Sequence, residues 1–80
     1  MSRHEKLIQK FTERPKSLRY HEIESILLYL GFTKDRGKGS HVCFRHPLVK
    51  RDVTIPVHNN DCKTIYKKET AKIIKIYFSL

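Results

Sequence analysis

Gly37-Lys38-Gly39-Ser40-His41-Val42-Cys43-Phe44-Arg45-His46-Pro47 is the stretch whose reading decides the fold. A glycine-broken basic turn runs straight into residues that favour extended backbone, and Pro47 stops them. If 40–46 is a strand, successive side chains take opposite faces. Val42 and Phe44 then turn toward a core. His41, Cys43 and Arg45 turn toward solvent or a ligand.

Working outward, residues 32–36 read as a strand with Phe32 as its apolar member. Residues 52–57 read as another, with Val53, Ile55 and Val57 on one face and Thr54, Pro56 and His58 on the other. Pro56 cannot donate to a ladder, which places it at a strand end or a sheet edge. The connections are short, so the three strands over 32–57 form an antiparallel meander. Residues 1–14 have helical spacing at Leu7, Ile8 and Phe11, with Met1 and His4 extending the stripe backward, and Pro15 ends them. Residues 20–31 are the strongest helix. Ile23, Ile26, Leu27 and Leu30 build one stripe, Glu22 and Glu24 suit the positive end of its dipole, and Gly31 stops it. After the loop 58–61, where Asp61 or Thr64 is the candidate cap, residues 66–78 form a last helix. Its expected buried stripe is Thr70, Ile73, Ile74 and Tyr77, with Lys67, Lys68, Lys72 and Lys75 on the solvated side. The order helix, helix, three strands, helix predicts one α+β domain over 1–80. It is a two-layer sandwich with helices on one face of the sheet and the other face open.

Eighty residues bury only a modest core, and a formal charge of +9 is large for that size. The excess points to a polyanionic partner, nucleic acid first. No apolar run approaches the ~18 residues of a spanning helix, and no apolar signal segment opens the chain, so a cytoplasmic protein without membrane contact is expected. Cys43 and Cys62 read as free thiols. His41, Cys43, His46, His58 and Cys62 are metal-capable types, but they lack the paired spacing of zinc sites, and no metal is assigned. A phosphate-binding Walker loop fails, because Arg36 stands where the second glycine belongs. Lys38-Gly39-Ser40 still offers backbone N–H groups and a cation to a phosphate. Asp35, Asp52 and Asp61 fall in connectors or at strand ends and make no acid pair. Arg36, Lys38, Arg45, Lys50 and Arg51 cluster around His41. An imidazole titrates near pH ~6.5, which suits proton transfer. The residues alone leave two readings open: His41 as a proton carrier, or as a polar residue on a wet face.

Lys38-Gly39-Ser40-His41 followed by Phe44, then Val53-Thr54-Ile55-Pro56-Val57-His58, then a basic C-terminal helix, resembles the HicA family of toxin–antitoxin mRNA interferases. Arg14-Pro15-Lys16, Glu22-Ile23 and Leu30-Gly31-Phe32 are similar to the helix and junction that precede this motif. The N-terminal helix is longer than in minimal members. The resemblance implies a fold like the double-stranded-RNA-binding domain and an endoribonuclease acting on mRNA without metal or other cofactor. It makes His41 the catalytic histidine and implies a HicB-type antitoxin as partner. On that reading Lys38, Gly39, Ser40, Arg36, Arg45 and His58 meet the RNA. The assemblies open to the chain are a homodimer or a hetero-oligomer with the antitoxin. The rival on the same fold is a non-catalytic RNA-binding module. A DNA-binding regulator is disfavoured, since Gly31-Phe32 leads into a strand rather than a helix-turn-helix.

Overall fold

The computed structural model describes residues 2–36 and 39–78, so Gly37 and Lys38 of the expected turn lie outside the described residues. Helix α1 (Arg3–Glu13) and a 3-10 turn (Pro15–Ser17) lead into α2 (Tyr20–Tyr29). Strands β1 (Thr33–Arg36), β2 (His41–Arg45) and β3 (Val53–Pro56) follow, then α3 (Thr64–Phe78). The sheet runs β1-β2-β3 with both pairings antiparallel. This is the α-α-β-β-β-α sandwich expected, like the double-stranded-RNA-binding domain, with Pro56 at the end of an edge strand.

Local chemistry sets the boundaries. Ser2 caps α1 by accepting the Glu5 N–H at 3.2 Å. Glu22 reaches back to accept the Arg19 N–H at 3.0 Å and closes the start of α2. At its other end Gly31 takes φ +98. The Phe32 N–H bonds the Leu27 carbonyl at 3.0 Å and the Gly31 N–H bonds the Leu28 carbonyl at 3.1 Å, the double closure of a Schellman motif. The loop after β3 is tighter than expected. Asn59 and Asn60 have φ 52 and 62, the pattern of a type I′ turn, and His58 and Asp61 exchange two backbone hydrogen bonds across it.

The helix-facing side of the sheet supplies Phe44, Val53 and Ile55 to one core with Ile8 and Phe11 of α1, Leu18, Ile23, Ile26 and Leu27, and Ala71 and Ile74 of α3. Each of the larger of these side chains, fully buried, is worth ~1.5–3 kcal/mol. The last helix departs from expectation. It starts at Thr64, and its buried residues are Lys67, Thr70, Ala71 and Ile74, while Ile73 is half-buried and Tyr77 exposed. The reason is a charge pair. The Lys67 ammonium stands 3.2 Å from Asp61 Oδ1, which makes burial of a lysine tolerable and rotates the inner stripe toward it. Nor is Asp61 a simple helix cap. Its Oδ1 also accepts the Tyr20 N–H at 3.1 Å and the Cys62 N–H at 2.9 Å.

Burial alone would raise the Asp61 pKa. The Cys62 N–H, the Lys67 ammonium and the Tyr20 N–H outweigh it and hold the carboxyl below the ordinary aspartate value. Asp61→Ala leaves a buried ammonium and two N–H groups unpaired, and should cost about 2–3 kcal/mol in urea unfolding at neutral pH. Because the folded pKa is the lower one, the contribution is complete above the unfolded value and is lost as pH falls through the folded one. The gap between wild type and Asp61→Ala should therefore shrink as pH falls below about 5 and through the folded value.

Candidate nucleic-acid interface

The site is built at the first residues of β2. Gly39 takes φ +66, and a Cβ placed there would meet nothing within 4 Å, so glycine is required by backbone conformation rather than by space. That turn delivers Ser40, whose carbonyl accepts the Val57 N–H at 2.9 Å, and then His41, exposed and paired directly with Pro56 of β3.

Register sorts the neighbours by face. His41 shares the open face with Cys43, Arg45, Thr54 and Pro56, and with Thr33 and Asp35 of β1. The Thr54 hydroxyl donates to Cys43 Sγ at 3.9 Å. Arg45 lies four residues along β2, ~13 Å from His41 at the rise of an antiparallel strand, so the two do not meet one phosphate. Its Nε stands 3.4 Å from Asp52 and its Nη1 3.7 Å from Asp35. A hydrogen bond with Cys43, then those two carboxylates, raise its pKa.

Arg36 pairs with Val42 and Lys34 with Phe44, so both belong to the helix-facing side. With Tyr20, Gly39, Ser40, His41, Val42 and Val57 they line an open groove of about 310 Å³ at the end of the sheet. None of the described lining residues is acidic, although Lys34 is paired with Glu24 behind them. The structure thus brings Arg36, Gly39, Ser40 and His41 together, sets Arg45 apart, and leaves Lys38 outside the described residues. His58 lies two residues past Pro56, beyond the ladder, in the turn closed by Asp61. Lys34 and Tyr20 are groove residues that the sequence pattern did not single out. Lys34 is drawn inward by an ion pair with Glu24 of α2, a contact that only the strand register makes visible.

The remaining histidine of this region is structural. His46 Nδ1 accepts the Leu48 N–H at 3.0 Å, which assigns the ring proton to Nε2, and Nε2 donates to the Leu30 carbonyl at 3.1 Å. Its ring packs between Phe32 and Phe78. Among the described residues no group of three or more His, Cys, Asp or Glu side chains is arranged to hold a metal ion. No described helix is long and apolar enough to cross a membrane.

The profile of a family described as HicA toxin of bacterial toxin–antitoxin matches residues 20–76, from the first residue of α2 to near the end of α3. The chain belongs to the HicA toxin family. Comparisons with curated proteins and with solved structures give no match. Membership implies a partner of the toxin–antitoxin kind. Helix α1 precedes the matched residues. It joins the core through Ile8 and Phe11, and His4 stacks on Tyr29 at 4.5 Å while bonding Ser25 at 3.0 Å.

The groove and the far end of β2 should respond differently to loss of charge. Arg36→Ala is expected to weaken binding of a single-stranded oligonucleotide and to lower the slope of log Kd against log salt by about 0.7–1, one phosphate contact. Arg45→Ala, already held by two carboxylates, should change that slope far less in the same anisotropy titrations.

Proposed function

We propose that this HicA-family protein is a metal-independent endoribonuclease that cleaves mRNA with His41 as general base, and that a HicB-type antitoxin neutralises it by covering the open face. The observation that carries the reading is the position of His41. It is exposed on the first residue of a paired strand, on the wall of a groove that also holds Lys34, Arg36 and the Gly39–Ser40 turn. Strand pairing limits how far the backbone of His41 moves, as a positioned base requires.

RNA brings its own nucleophile. His41 takes the proton from a 2′-hydroxyl, the 2′-oxygen attacks the adjacent phosphorus, and the bond from phosphorus to the 5′-oxygen breaks. The products are a 2′,3′-cyclic phosphate and a 5′-hydroxyl end. The Gly39 and Ser40 N–H groups and Lys38, which adjoins them in the chain, offset the charge that builds on the phosphate, and Arg36, on the other side of the ladder, meets the neighbouring one. The leaving 5′-oxygen takes a proton from His58 or from water. Arg45, held by Asp35 and Asp52 at the far end of β2, adds little to holding the strand.

The test is cleavage of mRNA in chelator by wild type and His41→Ala, with cyclic-phosphate ends assayed. Loss of about 10²–10⁴ in rate with RNA binding retained is expected. Undiminished cleavage by His41→Ala would overturn the assignment. Wild type that binds but never cleaves would mark a non-catalytic RNA-binding module.

A further inference from the structure

We propose that the Tyr20 hydroxyl is a substrate-recognition group, donating a hydrogen bond to a phosphate oxygen of the RNA strand seated in the groove beside His41. The inference rests on the RNA reading above and deepens it, because neither the family match nor the sequence pattern singles out Tyr20.

Three observations converge on it. Tyr20 is 8 % exposed, and its hydroxyl is buried with no hydrogen-bond partner among the described residues. Tyr20 also lines the groove that holds Lys34, Arg36, Ser40 and His41. A buried hydroxyl left unpaired costs ~1–3 kcal/mol, and a phenylalanine would fill the same space without that cost. The hydroxyl is therefore unexplained by packing and accounted for by a ligand.

The ligand's chemistry follows from what surrounds the ring. Burial first, then the charges of Glu24 and Cys62, push the Tyr20 pKa up to about 12. The hydroxyl thus stays protonated and able to donate. Glu24, one turn along α2, is already engaged by Lys34. With Lys34 paired to Glu24, the positive charge left for a ligand in the groove is that of Arg36. A protonated donor beside the Arg36 guanidinium suits an anionic oxygen, and in an RNA strand that is a phosphate. The Tyr20 backbone is anchored by its N–H bond to Asp61, and the ring is buried. The hydroxyl is covered in the unliganded protein, so an entering phosphate must displace side chains over it. Lys34 and Arg36 are long and unbranched, and their charged ends follow an anion.

Lys34 and Arg36 belong to the helix-facing side of the ladder and His41 to the open face. The phosphate at Tyr20 is accordingly a neighbour of the one being cleaved. Tyr20 binds; it does not touch the reacting atoms.

The experiment compares wild type with Tyr20→Phe in the full chain, using a short 2′-O-methyl RNA, which binds but lacks the nucleophile. Kd should rise about tenfold, equivalent to ~1.4 kcal/mol. The thermal midpoint should stay level or rise, because an unpaired buried hydroxyl has been removed. With unmodified RNA, KM should rise while kcat stays within about twofold. Wild-type binding matched by Tyr20→Phe would overturn the role of Tyr20 alone, and a lowered midpoint with unchanged Kd would assign the hydroxyl to the fold instead. Wild type that fails to bind the 2′-O-methyl RNA would overturn the RNA reading and this inference together.

Discussion

The Asp61 carboxylate is the contact on which the working end of the molecule depends. One oxygen accepts the first N–H of α2 and the N–H of Cys62, and lies beside the buried ammonium of Lys67 in α3. Its backbone closes the turn that carries His58. A single side chain thus ties together the start of α2, the segment after β3 and the first turns of α3. Two groove residues, Tyr20 and Val57, sit on the segments it joins. A protein this small has little core to hold such segments by packing alone, so a paired charge of low exposure does much of the positioning.

Alternation along β2 then divides the site. The open face carries His41 with Cys43 and Thr54, and ends at an Arg45 engaged by two carboxylates. The helix-facing side carries Lys34 and Arg36 into the groove. A nucleic acid that used both His41 and these cations would bend around the end of the sheet rather than lie flat on it. A flexible single strand does this at less cost than a stiff duplex.

Most of the architecture was legible because apolar spacing is strong where it matters. Ile23, Ile26 and Leu27 mark α2, Gly31 its stop, and Val42/Phe44 with Val53/Ile55 the inner face of the sheet. What escaped the pattern was set by pairs distant in sequence. Lys67 reads as solvent-facing until Asp61 is known to stand beside it. Arg45 is close to His41 in the chain, yet the strand rise separates them. Lys34 and Tyr20 carry no local signal at all, since their shared groove exists only once β1, β2 and α2 are brought together. The α3 stripe was displaced for the same reason: hydrophobicity predicts which residues can be buried, and a buried ion pair changes which ones are.

The net charge of +9 has to be separated from the chemistry of the groove. The molecule measures 35 × 27 × 20 Å, while the screening length at physiological salt is ~8 Å. Lysines on the outer side of α3 therefore contribute to drawing a polyanion in, but little to what happens once it is seated. On the proposed function, the groups that matter at contact are few: the cation at Arg36, the amides of the Gly39–Ser40 turn, and a neutral hydroxyl at Tyr20. Salt weakens the first group and leaves the neutral donors largely untouched. Affinity for any polyanion and recognition of a correctly seated strand thus rest on different residues. A basic surface outside the groove can change without altering how the strand is held beside His41.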